Sequence, residues 1–179
     1  MANQKICSIV QDLIKGNKSY IKDINEKLKK HISGQHPKIA VLSCSDSRVI
    51  PEKIFDKNLG DLFIVRVAGN VAMDPSVIES LEYCVNFLGI NLFIILGHTH
   101  CGAIQAAEKT RDNSANILNE IKKGFTYDDN HIIGNIKRQL DELPKRSSII
   151  KKAIERDKLY INGAVYNVED GKVSFLNID

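Results

Sequence analysis

Three short apolar runs, residues 39–43, 62–67 and 92–97, constrain this chain more than any other feature. Each is strand-length, rich in β-branched residues, and continuous instead of alternating. A strand that is apolar on both sides must be covered on both faces, the situation of a parallel sheet between layers of helices. Between the second and third runs, Val77, Ile78, Leu81, Val85 and Leu88 fall at helical spacing. Pro75 suits a first helical turn and Gly89 the position just past the last one, so a helix is expected over 75–88. Strand, helix and strand in succession imply right-handed parallel crossovers. A further helix is expected from Gly102, with helical sequence continuing to Arg156. The segments 159–166 and 172–178, joined through Glu169-Asp170-Gly171, read as a terminal hairpin or edge strands. The expected class is α/β: a mostly parallel sheet of four to five strands flanked by helices, preceded by a helical arm.

That arm is residues 3–31. Ile6, Ile9, Val10, Leu13 and Ile14 form one apolar stripe, and Ile21, Ile24 and Leu28 a second, with Gly16-Asn17 as the expected break between two helical pieces. Such stripes must be buried on the body or on a partner chain. Cys7 lies on the first stripe and Cys84 in the 75–88 helix, so both read as small core residues. With 179 residues and no repeat or low-complexity linker, one domain is expected over 1–179. It comprises the arm at 1–31, a core at 35–110 and terminal strands at 158–179.

The net charge of +3 is small, there is no tryptophan, and the basic pairs read as solvated helix faces. Nucleic-acid binding is not expected. No nucleotide-binding glycine motif occurs. The N-terminus does not read as a secretory signal, and no apolar run reaches membrane length. A cytoplasmic protein without a membrane partner is expected.

Ligands gather outside the carboxyl ends of strands in open α/β sheets. Cys44 directly follows the first strand and His98 the third, so both project onto one edge of the sheet. Cys101, at the start of the next helix, can turn back to the same point. Two thiolates and an imidazole suit Zn²⁺, and three protein ligands with a free fourth position is the catalytic pattern. Asp46 and Arg48 share the tight loop after Cys44 and can form a forked ion pair with a fixed carboxylate, or a surface pair of little consequence. His100 could relay protons or face solvent, His36 reads as a turn residue, and His31 and His131 read as surface histidines.

The strings CSDSR (44–48), RVAGN (66–70) and GHTHCGA (97–103) resemble the signatures of the β-class carbonic anhydrases, and INGAVYNVEDGKVSFL (161–176) resembles that family's closing strands. The resemblance implies one zinc per chain on Cys44, His98 and Cys101, with Asp46 and Arg48 as a catalytic dyad. It implies reversible hydration of carbon dioxide to bicarbonate through a zinc-bound hydroxide, by a homodimer or tetramer with exchanged N-terminal arms. Gln35, Phe63 and Tyr83 fall where the plant-type branch carries its substrate pocket, and Gly102 is grouped with them. Another branch carries a tryptophan of an allosteric bicarbonate site three residues before the first zinc cysteine; here that position is Val41. RVAGN departs from the RNVAN more frequent in plant-type members. Two other functions fit the same ligands: hydrolysis of carbonyl sulfide or carbon disulfide, and a zinc-binding module without catalysis.

Overall fold

The computed structural model describes residues 2–111 and 116–176. The chain divides into two compact units, residues 1–35 and 36–179. The first is built on one helix, α1 (Ala2–Lys29). It runs unbroken through Gly16-Asn17, so the expected two pieces are one. An interior glycine costs only about 1 kcal/mol relative to alanine, and nothing packs within 4 Å of where a Gly16 side chain would sit. Neither effect is enough to stop a helix of this length. Ile6, Ile9, Val10, Leu13, Ile14, Ile21 and Leu28 are exposed along it. Cys7 is exposed with them, and so is not a core residue of the single chain.

The second unit holds a five-stranded sheet in the order β2-β1-β3-β4-β5. The strands are β1 (Ile39–Ser43), β2 (Leu62–Arg66), β3 (Leu92–His98), β4 (Tyr160–Tyr166) and β5 (Val173–Phe175). The first four are mutually parallel, and β5 closes antiparallel on β4. The three apolar runs are thus strands at their expected bounds, to within a residue. The last two residues of the expected 172–178 strand lie outside the described residues.

Alternate strand residues feed two cores. Ala40, Leu42, Phe93 and Ile95 pack with Leu81 and Cys84 of α3 (Pro75–Phe87), Ile136 and Leu143 of α6 (His131–Arg146), and Ile150 of α7 (Ser148–Glu155). Val41, Ile94, Leu96 and Ala164 point the other way, against Val49 and the short α2 (Pro51–Ile54). Each fully buried Leu, Ile or Phe contributes about 1.5–3 kcal/mol, which is why these runs are apolar up to their carboxyl ends, where Ser43 and Arg66 stand; β2, at the sheet edge, is only half-buried. Asp74, which the sequence reading did not single out, caps α3 by accepting from Ser76 N; Gly89, expected just past the helix, takes φ +65° there.

Two more helices, α4 (Gly102–Lys109) and α5 (Asn116–Gly124), lie between β3 and α6. The end of α5 meets the start of α6 backbone to backbone. A Cβ on Gly124 would stand 2.7 Å from Asn135 Cα, so only glycine permits this approach.

Candidate metal centre

The strands β1 and β3 are neighbours, yet the chain leaves β1 for β2 on one side and β3 for β4 on the other. The crevice between such diverging connections is where an open α/β sheet takes its ligands. Cys44 is the first residue past β1 and His98 the last of β3, and the register of Ser43 with Leu96 brings them to one level. Beyond His98 the chain reverses through His100, whose φ of +54° is left-handed, and delivers Cys101 to the N-cap of α4. The sulfurs of Cys44 and Cys101 and a ring nitrogen of His98 lie within 4.8 Å of one another, and all three residues are buried.

The chemistry of this cluster fits zinc. His98 Nδ1 stands 2.9 Å from the carbonyl of Thr99, which can only accept, so Nδ1 carries the hydrogen and Nε2 has a bare lone pair. Nε2 is buried and has no hydrogen-bond partner. A buried acceptor without a donor is costly, and a cation relieves that cost. The two sulfurs are 3.9 Å apart, close to the roughly 3.8 Å expected for thiolates sharing a tetrahedral zinc at about 2.3 Å each.

So close a pair of thiols ionises in two unlike steps. The Cys44 thiol is driven down, chiefly by the hydrogen bond from Cys101 and then by backbone hydrogen bonds from Gly69 and Asp46, against the effect of burial. The Cys101 thiol is driven up, because it holds that shared proton beside a thiolate and is itself buried.

Asp46 lies beside the cluster, its Oδ2 3.9 Å from His98 Nε2. Arg48 grips it in a fork, Nε to Oδ1 at 2.9 Å and Nη2 to Oδ2 at 2.8 Å, while the Arg48 N–H donates to Oδ1 at 3.0 Å. These contacts hold the Asp46 carboxyl well below the usual carboxylate range, the guanidinium being the main cause. Arg48 Nη2 also donates to the carbonyl of His100, which ties the fork to the His98–Cys101 loop. Arg66, at the end of β2, donates to the carbonyls of Cys44 and Asp46 at 3.2 and 2.7 Å. The loop carrying ligand and carboxylate is therefore braced from both sides.

The other residues singled out from the sequence fall in several places. Phe63 and Tyr83 lie together, ring centroids 6.3 Å apart, and Tyr83 reaches Phe87 at 5.3 Å. The register sets Phe63 opposite Ala40, four residues short of Cys44, or about 13 Å along the strand. They do not line this chain's own metal cluster. Gly102 opens α4 next to Cys101, with open space where a side chain would sit. Gln35 is exposed at the end of the first unit. His100 pairs with Glu169 at 2.9 Å, and His131 pairs with Glu108 at 2.8 Å while stacking on Phe125. Cys84 is buried, and desolvation pushes its thiol up to about 12.

Sequence reasoning missed Asn135 and Gln139. Both are buried on α6 and reach the 68–72 loop behind Cys44. The signal was available: they interrupt an apolar stripe of Ile132, Ile136 and Leu143 at helical spacing, where a polar residue needs a buried partner.

The carbonic anhydrase family profile matches residues 39–173, most of the second unit. The chain belongs to the β-carbonic anhydrase family. Carbonic anhydrase 2 of Mycobacterium tuberculosis is 34% identical over 155 residues, which cover 78% of this chain and 74% of that protein. The carbonic anhydrase of Synechocystis is 32% identical over 200 residues, covering 95% and 69%. Among solved structures, the β-carbonic anhydrase CafA of Aspergillus fumigatus superposes with a TM-score of 0.80 at 25% identity, over 97% of this chain and 91% of that one. The Coccomyxa β-carbonic anhydrase, in complex with acetazolamide, gives 0.80 at 25%, over 92% and 85%. A β-carbonic anhydrase is a zinc-dependent lyase, and Cys44, His98 and Cys101 are positioned as a site for that metal.

Proposed function

We propose that this chain catalyses the reversible hydration of carbon dioxide to bicarbonate and a proton, with one zinc ion on Cys44, His98 and Cys101 and with Asp46 as the group that aims the attacking water. The observation that carries this reading is the bare, buried Nε2 of His98 standing 3.9 Å from a carboxylate that is already forked by Arg48. Zinc, when bound, supplies the Lewis acidity that lets water ionise near neutral pH.

Asp46 supplies direction. Its Oδ1 takes two hydrogen bonds from Arg48 and its Oδ2 one, so a single lone pair of Oδ2 remains for the water. A carboxylate held ionised can only accept. It therefore accepts a hydrogen bond from the attacking oxygen, without taking its proton, and leaves that oxygen's lone pair for the carbon of carbon dioxide. A new C–O bond forms, one C=O π pair moves onto oxygen, and the proton released by the water passes to buffer. The Arg48 fork, anchored on the His100 carbonyl, keeps Asp46 from swinging towards the cysteines. Val41 in place of a tryptophan agrees with this reading, in which Asp46 stays on Arg48 and bicarbonate is a product without cooperative inhibition.

The distance of Phe63 and Tyr83 from Cys44 supports their acting in the site of a second copy, with Gln35, as part of an apolar pocket for carbon dioxide. The exposed stripe of α1 likewise supports a dimer or higher oligomer built through the arm. No helix among the described residues is long and apolar enough to cross a membrane.

The test is stopped-flow hydration on protein of measured zinc content, with Asp46→Asn alongside. The amide can also donate and misorients the water, so a zinc-replete variant should lose on the order of 10²-fold in turnover. Sulfide release from carbonyl sulfide or carbon disulfide, without hydration of carbon dioxide, would overturn the assignment.

A further inference from the structure

Behind Cys44 runs a chain of buried amides that the reaction as described does not use. The Gly69 N–H donates to Cys44 Sγ at 3.4 Å. The Gly69 carbonyl accepts from Asn135 Nδ2 at 2.8 Å, Asn135 Oδ1 accepts from Gln139 Nε2 at 3.3 Å, and Gln139 Oε1 accepts from the N–H of Ala72 at 2.9 Å. The orientation of both amides is forced, because a carbonyl can face only an NH₂ and a backbone N–H only an oxygen. Four residues apart on α6, the two side chains share one face of the helix. Both are at least 99% buried.

The segment they hold is not at rest in an ordinary conformation. Gly69 and Asn70 both take positive φ, 67° and 48°. Within the turn the Asn70 N–H donates to the Val67 carbonyl at 3.0 Å, and the carbonyl of that same peptide, the Gly69 C=O, is fixed from outside; holding it fixes the Gly69 dihedrals and with them the aim of the Gly69 N–H. That hold is Asn135's. The far end of the loop is held separately, by Arg146 donating to the Ala72 carbonyl at 2.7 Å while paired to the buried Glu120.

We infer that Asn135, braced by Gln139, is a positioning residue for the metal centre: it aims the Gly69 N–H at Cys44 and thereby sets how much charge that sulfur gives to zinc. Two thiolates donate more charge than two imidazoles and leave zinc a weaker Lewis acid. An N–H directed at one sulfur withdraws part of that charge. The inference rests on Cys44 being a zinc ligand, and it adds a reason for a helix remote in sequence to carry two buried amides.

The experiment uses full-length protein loaded with Co²⁺, whose thiolate-to-metal charge-transfer band reports the donor strength of sulfur. Asn135→Leu keeps the approximate volume and removes the donor. It should move the band to longer wavelength, and zinc affinity should fall on the order of tenfold, as for other partners that orient metal ligands. Arg146→Met loosens the same loop at Ala72 and should lower thermal stability while leaving the band in place. If Asn135→Leu does not fold, Asn135→Ser gives the same readout, since its shorter side chain cannot reach the Gly69 carbonyl. A folded Asn135 variant with lowered stability but the wild-type band and affinity would overturn the inference. Wild-type protein with no thiolate charge-transfer band would instead remove Cys44 and Cys101 from the metal, a different failure.

Discussion

Gly69→Ala is the substitution whose cost the structure specifies most fully. Two independent penalties add. The first is conformational: at φ +67° a Cβ approaches its own carbonyl, which costs about 1–2 kcal/mol. The second is steric: the new Cβ would stand 2.5 Å from Ile121 Cδ1, 3.2 Å from Ile121 Cγ1 and 3.4 Å from Ala103 Cβ. Forcing a methyl into packed surroundings costs about 1–3 kcal/mol. The total is therefore about 2–5 kcal/mol, read as a shift in the urea midpoint at fixed protein concentration and saturating zinc. Ile121→Val deletes the Cδ1 that makes the worst contact. In the double variant the steric part should largely vanish, leaving about 1–2 kcal/mol for the backbone and a coupling energy of at least about 1 kcal/mol between the two positions. A Gly69→Ala enzyme within about 0.5 kcal/mol of wild type, or two changes that simply add, would refute this account of the loop.

Cys44→Ser, His98→Ala and Cys101→Ser should each sharply reduce zinc per chain by metal analysis; full occupancy in any of them would strike that residue from the ligand set. The Asp46 carboxyl is held below its ordinary value by Arg48, so whatever it adds to stability is present above the unfolded value near 3.9 and is lost only as pH falls below it. Across pH 5 to 9 the acceptor should thus stay ionised, and a fall in hydration on the acid side of that range, at full zinc occupancy, should track the metal site and not Asp46. Persistence of that acid limb, unshifted, in zinc-replete Asp46→Asn would agree; its disappearance would refute the assignment. Deleting residues 1–30 should give aggregated or inactive protein, and a soluble, active monomer by light scattering would contradict a dimer built through the arm.

The sheet was readable because strands buried on both faces leave a continuous run, and Ile39–Ser43 begins with its apolar residues and ends one residue past them. The ligands were readable because sheet topology makes the end of one strand the neighbour of another, so Cys44 and His98 could be matched across a long separation. The continuity of α1 was not readable. Gly16-Asn17 is a good turn in isolation, and only the surrounding helix outweighs it. Asn135 and Gln139 were readable as buried polar residues from the apolar stripe they interrupt, but not their partners, the 68–72 loop, which lies far away in the chain. The same limit applies to Phe63 and Tyr83: their residue types suggested a pocket, but the parallel register decides that it is not beside their own Cys44.

The crevice between β1 and β3 also dictates an order of assembly. Cys44 and Cys101 are separated by 57 positions, and nothing brings them together until β1 and β3 have paired around the intervening β2 and α3. Closing a loop of that size must come before any contact across it is rewarded. On the ribosome all three ligands emerge before α6 and β4, the elements that complete the walls of the crevice. An ion that needs all three ligands together meets its complete site only once that closure has been made. Its binding then stabilises the closed chain by mass action, so the finished crevice is worth more to the fold in the presence of free zinc than in its absence.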